Sequence, residues 1–332
     1  MGHVILTAGA LVERRSVWVT GAEGFLGTAA CERLDGAGYL VQRIVHRVAT
    51  LPEHLAVGGR HASPEWAPRT PGGPPPLACD LADERLALAG DQAPPATIVH
   101  LAAAIPTTSR GEASEQVAAG NRRIDDNVFA FAAEAGAAVV FASSGSVYGE
   151  ASGEVFREDS PTDPRGPYAE AKLRSEERGA KALGNAGLPF AALRISAPYG
   201  PGQPTWTVVQ HFLHRALAGE ELTYHGSGNR MQDFVYVTDV AEAIAGCVAA
   251  SAAGVFNVAS GQPVTMRELA ALIAEVVGGD IVVRASGQPD PQEGQRASYV
   301  IEAAERAFGW TPATSLRDGL REWRELLKAA DA

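Results

Sequence analysis

The chain has 332 residues, 46% hydrophobic and 20% charged, which is enough for two domains of about 150 residues and too apolar for a wholly disordered chain. A formal charge of −11, with a pI near 5.2, gives no global electrostatic support to nucleic-acid binding. Cys31, Cys79 and Cys247 are widely spaced with no CxxC pair, which argues against a disulfide scaffold or structural zinc, and no apolar run approaches the roughly 18 residues of a membrane span.

Met1–Arg15 holds the apolar run Val4–Val12, but its basic pair, Arg14 and Arg15, follows that run. A signal peptide wants the opposite order, so 1–15 reads as an N-terminal extension and a cytoplasmic location is the default expectation. Strands are expected at Ser16–Val19, Val41–Val45, Leu77–Cys79, Ile98–Leu101, Val139–Ala142 and Phe190–Ile195. Helices are expected near Leu26–Gly36, Glu115–Ala135 and Tyr168–Leu183. This alternation favours a parallel sheet with helices on both faces. Leu51–Pro76 breaks the rhythm with seven prolines and four glycines in 26 residues, and reads as a long surface loop. Beyond Ile195 the pattern is less regular. Strands are expected at Asp233–Val237, Gly254–Val258 and Ile281–Arg284, and helices at Val208–Ala218, Val240–Ala250, Met266–Val277 and Ser315–Lys328.

Thr20-Gly21-Ala22-Glu23-Gly24-Phe25-Leu26-Gly27 follows the first strand and opens a helix. Its spacing is GxxGxxG. The first glycine permits a tight turn, the second lets backbone N–H groups approach a pyrophosphate, and the third lets helix and strand pack closely. Gly21, Gly24, Phe25, Leu26 and Gly27 are therefore candidate dinucleotide contacts, at a helix N-terminus whose dipole favours anions. Trp18 and Phe25 are also expected in the core. The second strand ends in Ile44-Val45-His46-Arg47, with no acid to bind an adenosine ribose diol. His46 and Arg47 instead suit a 2′-phosphate, which favours NADP(H) and leaves NAD(H) possible. Asp80, followed by Leu81, is placed to meet the adenine amino group or to form a turn.

Tyr168 and Lys172 stand four apart behind Pro167, on one face of a helix. Free tyrosine, with a pKa of about 10, is a poor base, and a nearby ammonium favours its phenolate. At the end of the fifth strand, Ser144 is the candidate hydroxyl for a substrate carbonyl or alcohol. Ser143 or Ser146 can form the turn, and Ser146 is also a candidate substrate contact. The histidines show no metal spacing. His211 and His214 are three apart without a third ligand, so no metal is expected.

Together these motifs resemble an extended short-chain dehydrogenase/reductase, of the nucleotide-sugar epimerase/dehydratase/ketoreductase branch. The matching pieces are TGAEGFLG at 20–27, DLAD at 80–83, VHLAA at 99–103, SSGSVYG at 143–149, PYAEAK at 167–172, PYGPG at 198–202, DFVYVTDV at 233–240 and FGWTP at 308–312. The resemblance implies an α/β fold: a Rossmann-type doubly wound parallel sheet with a smaller, interleaved C-terminal substrate domain. The expected division is 16–195 for the dinucleotide and 196–332 mainly for substrate, with 234–260 returning to the first. It implies an acid/base role for Tyr168, supported by Lys172 and Ser144. It places Asn121 in support of the cofactor site and the nicotinamide near Ala102, Ala103 and Pro198. It also implies a homodimer through 115–135 and 173–183.

Family dehydratases carry an Asp–Glu pair where this chain has Gly145 and Ser146, and related decarboxylases carry a glutamate where it has Ser146. That leaves epimerases and ketoreductases. The missing acid after Val45 favours an NADPH-dependent 4-ketoreductase of a nucleotide diphosphate sugar. The alternative is a redox-neutral 4-epimerase retaining NAD. A dehydrogenase of a non-nucleotide ketone and a catalytically silent NADP sensor are less favoured. The family arginine before the DF motif is Gln232 here, so Arg230 and Arg296 are the candidate diphosphate ligands.

Overall fold

Along the first strand, Val17 and Val19 join the buried cluster on one face of a sheet, and Trp18 joins the cluster on the other. This is the period of two that β-structure imposes. Both faces are apolar because both are covered. The computed structural model describes residues 15–46, 74–84, 86–88, 93–105, 112–149, 155–203 and 207–330. The expected extension up to Arg14, Arg47, and the proline-rich loop as far as residue 73 lie outside the described residues.

The central sheet comprises β1 (Ser16–Thr20), β2 (Leu40–Val45), β3 (Leu77–Ala78), β4 (Thr97–His100), β5 (Ala138–Ser144), β6 (Phe190–Ile195) and β7 (Gly254–Val258). Every pairing is parallel, in the spatial order β7-β6-β5-β4-β1-β2-β3. This is the Rossmann-type, doubly wound α/β fold, and the chain reverses direction across the sheet between β1 and β4. Ligands in such sheets bind outside the carboxyl ends of the strands at that reversal.

Helices α1 (Phe25–Gly36), α2 (Glu112–Ala135), α3 (Pro167–Asn185) and α5 (Val237–Ala250) cover the sheet. α1 packs on α5, and α2 packs on α3. Between α3 and α5, α4 (Val208–Leu217) belongs to a separate apolar cluster with α6 (Met266–Val277) and α8 (Leu316–Ala330). Tyr199, Phe212, Leu269, Ile273 and Trp323 are buried there. α7 (Glu302–Phe308) packs against α5 and β7.

Phe234–Tyr236 is a strand within the expected Asp233–Val237, while its partner and the two strands of a further short pair carry no sequence signal. Ala197–Tyr199 pairs with Phe234–Tyr236, and Ser298–Tyr299 pairs with Val155–Phe156. Trp18 is fully buried, whereas Phe25, expected in the core, is only half-buried at the head of α1. Among the described residues no helix is long and apolar enough to cross a membrane, and no group of three metal-ligating side chains is found.

Candidate functional site

The glycine loop closes tightly. Gly21 has a φ of +66°, which glycine adopts freely, and a Cβ there would meet the Ala102 backbone at 2.8 Å. A Cβ on Gly27 would lie 2.0 Å from the Gly21 carbonyl oxygen. Gly24 is different, since among the described residues a Cβ there would meet only that same oxygen, at 3.2 Å. Gly24 is the N-cap of α1, with no side chain capping it and no acid in the first turn. An open N-terminus behind a glycine turn suits a pyrophosphate. The residues present therefore fit a dinucleotide: Gly24, Phe25 and Leu26 would face the phosphates, while Gly21 and Gly27 keep the loop close.

Next to the loop, Thr20 stands directly across the sheet from His100. The Thr20 Oγ1 and His100 Nδ1 lie 2.7 Å apart, and the same Oγ1 accepts the N–H groups of Leu101 and Ala102. The His100 Nε2 is 3.0 Å from Asp125 Oδ1, and the Ser175 hydroxyl donates to Asp125 Oδ2 at 2.5 Å. A buried polar chain thus runs from β1 through β4 and α2 to α3. Asn121, one turn before Asp125, spends both ends of its amide on the Ala104 backbone, at 2.8 Å each. It fixes the segment that carries Ala102 and Ala103 and, in this arrangement, is not itself turned outward as a cofactor contact.

α3 begins with Pro167 at its first turn after Gly166, whose φ is +88°. Lys172, Ser175, Glu176, Gly179 and Leu183 form its buried stripe at helical spacing. The Lys172 ammonium donates to the Ala142 carbonyl at 2.8 Å and lies 4.5 Å from the Phe141 ring centre and 6.0 Å from that of Tyr168. Lys172 and Tyr168 are thus brought to the carboxyl end of β5, two residues from Ser144. Burial, reinforced by the nearby Asp125 charge, pushes the Tyr168 hydroxyl up to about 12. Burial also lowers the Lys172 pKa, against the pull of Asp125 and Glu176. Burial works to raise the Asp125 pKa, but hydrogen bonds from His100 and Ser175 and the Lys172 charge outweigh it and hold the carboxyl below its usual range.

The three serines separate by partner. Ser143 donates to Glu176, which also forms a buried ion pair with Arg194, at 2.8 Å from Nη2. Ser143 is therefore a framework residue. The Ser144 Oγ accepts from the Ser146 N–H at 3.2 Å and from the Ser146 hydroxyl at 2.9 Å, capping a single 3₁₀ turn over Gly145–Tyr148. Ser144 is half-buried and Ser146 exposed. Tyr148 is buried and donates to Asn257 at 2.7 Å, which ties this turn to β7.

Tyr299 was not anticipated. Its ring lies against Gly145, where a Cβ would sit 2.5 Å from the hydroxyl and 2.9 Å from the ring carbon bearing it. The volume an acidic side chain at 145 would need is filled.

The other expected contacts are more dispersed. One Asp80 carboxylate oxygen accepts from the Ala82 N–H at 3.1 Å, so the side chain forms a turn, and Leu81 is core. The Pro198 carbonyl accepts from Gln203 at 2.5 Å. The Arg230 Nε pairs with Asp290 at 2.8 Å, and its Nη1 donates to the Gln232 side-chain oxygen at 3.3 Å. Arg296 is exposed, and its backbone bridges to Met231. At the end of β2, the His46 N–H donates to the Glu23 carboxylate at 3.1 Å. That contact was invisible in the sequence because it joins the glycine loop to a strand 23 residues on.

Comparison with known proteins gives a consistent picture. Residues 17–259 match the model of the NAD dependent epimerase/dehydratase family. A UDP-glucuronic acid decarboxylase 1 of Xenopus tropicalis is 30% identical over 205 residues, which is 59% of this chain and 48% of that protein. A dTDP-glucose 4,6-dehydratase of Streptomyces griseus is 27% identical over 311 residues, covering 91% and 90%. The solved UDP-glucose 4-epimerase of Thermus thermophilus, in complex with NAD, superposes with a TM-score of 0.75 at 26% identity, covering 95% of this chain and 99% of that one.

Proposed function

The chain belongs to the NAD dependent epimerase/dehydratase family, and we propose that within it the chain acts as a redox-neutral 4-epimerase of a nucleotide diphosphate sugar, retaining NAD. The observation that carries this reading is the filled slot at Gly145. Water elimination needs an acid and a base beyond the tyrosine. Here Tyr299 occupies the space for a side chain at 145, and position 146 is a serine. The acid–base set proposed for the chemistry is then Tyr168, Lys172 and Ser144, since His100 and Asp125 are committed to their own buried hydrogen bonds. That set suffices for removing and returning a hydroxyl proton. The similar 4-epimerase bound to NAD supports the redox-neutral form over the ketoreductase expected from His46 and Arg47.

In this mechanism Ser144 holds the sugar hydroxyl, and Tyr168 takes its proton and later returns it to the carbonyl oxygen, once the ketone has turned to offer its opposite face. Bound NAD would supply the hydride acceptor, later the donor, and a positive charge that counters the raised Tyr168 pKa. Lys172, fixed by the Ala142 carbonyl, contributes a second positive charge. Epimerisation requires the ketone to turn over, so the sugar must be gripped by its diphosphate and left loose at the ring. Arg296, and Arg230 if it exchanges part of its contact with Asp290, are the proposed grips. A homodimer through α2 and α3 belongs to the same proposal.

The test is to incubate the purified chain with UDP-glucose or UDP-galactose, without added reductant, and follow the anomeric protons by NMR. Interconversion from both sides is expected. Turnover of a 4-keto nucleotide sugar with stoichiometric consumption of NADPH, and none of either alcohol, would establish a reductase instead, and loss of water a dehydratase.

A further inference from the structure

The acid that the sequence lacks after β2 is delivered from elsewhere. Glu23 sits in the glycine loop, immediately before the N-cap of α1. The capping position itself is the next residue, Gly24. No side chain caps α1, and Glu23 instead accepts the His46 N–H at 3.1 Å, at the carboxyl end of β2. Among the described residues that is its one hydrogen bond, and no cation forms an ion pair with it. The neighbouring cation on β2, Arg43, is paired with Asp35 at 2.5 Å. At the same corner the His46 Nε2 is shielded from solvent and has no partner among the described residues.

This corner is where a doubly wound sheet receives the adenosine ribose. We infer that Glu23 is the residue that selects NAD over NADP, by accepting the ribose 2′- and 3′-hydroxyls and repelling a 2′-phosphate. The inference rests on the NAD-dependent reading above and names the residue responsible for it. An ionised carboxylate only accepts hydrogen bonds and has lone pairs for about four. One is taken by His46, which leaves room for both hydroxyl protons. A phosphate monoester offers no proton in exchange and carries about −1.5 to −2 charges at neutral pH. Turning Glu23 toward β2 also leaves the α1 N-terminus open for the pyrophosphate, so one side-chain orientation serves both ends of the adenosine diphosphate.

The experiment uses the full chain, stripped of any co-purifying dinucleotide and titrated with NADH and NADPH by nicotinamide fluorescence. The wild type should bind NADH at least about tenfold more tightly. Glu23→Gln should bring the two affinities to within about threefold, mainly by gaining NADPH, and Glu23→Lys should reverse the preference. Glu23 is exposed, so both variants should fold. A wild type that prefers NADH beside a Glu23→Gln variant with the same ratio, or a Glu23→Lys variant that still prefers NADH, overturns the role of Glu23 alone. A wild type that prefers NADPH overturns the NAD reading itself, and this assignment with it.

Discussion

At the carboxyl end of the sheet, Thr20, His100, Asp125 and Ser175 join two strands and two helices through contacts of 2.7, 3.0 and 2.5 Å. In the C-terminal portion the polar side chains find nearer neighbours: Arg230 leans on Asp290 and Gln232, and Arg284 pairs with Glu221 at the surface. The first arrangement is buried and rigid, because each group left unpaired there would cost its full desolvation. In the second, the Arg284–Glu221 pair is solvated and can be exchanged at little cost, whereas the Arg230–Asp290 pair is largely shielded. The proposed epimerisation, in which a proton donor is held still while a sugar ring turns over, would draw on both kinds of support.

The comparison breaks most sharply at Tyr168. Tyr168→Phe should lower turnover by about 10²–10⁴ while NADH titrates almost as before. Unchanged turnover would remove Tyr168 from its proposed role. The buried chain comes next. Asp125→Asn leaves His100 and Ser175 with a poorer acceptor and should cost about 2–3 kcal/mol in urea unfolding. Because the folded pKa of Asp125 lies below the ordinary carboxylate value, its contribution is complete above about pH 4 and fades as pH falls through the folded value. The wild type should therefore lose stability over that acid range, and the variant should lose less of it.

Gly145→Ala tests the filled slot. The new methyl group must displace the Tyr299 ring, at about 1–3 kcal/mol, and Tyr299→Ala in the same chain should recover most of that loss. Additive losses in the double variant would show that the two positions do not compete for space. The smallest effect is expected in the C-terminal portion. Arg230→Gln should raise KM about three- to tenfold with kcat nearly unchanged, since it removes uniform substrate binding. A matching fall in kcat would place Arg230 nearer the chemistry than its pairing with Asp290 suggests.

The sheet was legible because its strands are short apolar runs between glycine and proline signals. Phe190–Ile195 is buried at all six positions and was bounded correctly from sequence. The two-residue pairings at Val155–Phe156 and Ser298–Tyr299 were not legible, because two residues have no periodicity. Tyr168, Lys172 and Ser144 stood out through spacing within single elements. Glu23 and Tyr299 did not, since each acts on a residue far away in the chain. His46 was read as a phosphate ligand from its neighbours in sequence, while the carboxylate that reaches its N–H comes from the preceding loop. Local pattern thus finds groups that share an element, and misses those that meet only after the chain has folded back.

The most direct test of the epimerase reading is to follow a deuterium label placed at C4 of the sugar. UDP-glucose carrying deuterium at C4 would be converted by the purified chain and the product examined by NMR and mass spectrometry. Redox-neutral epimerisation predicts that the label returns to C4 of UDP-galactose with no net loss. Deuterium recovered at C6 of a dehydrated sugar, or UDP-galactose that has lost the label, would contradict the account.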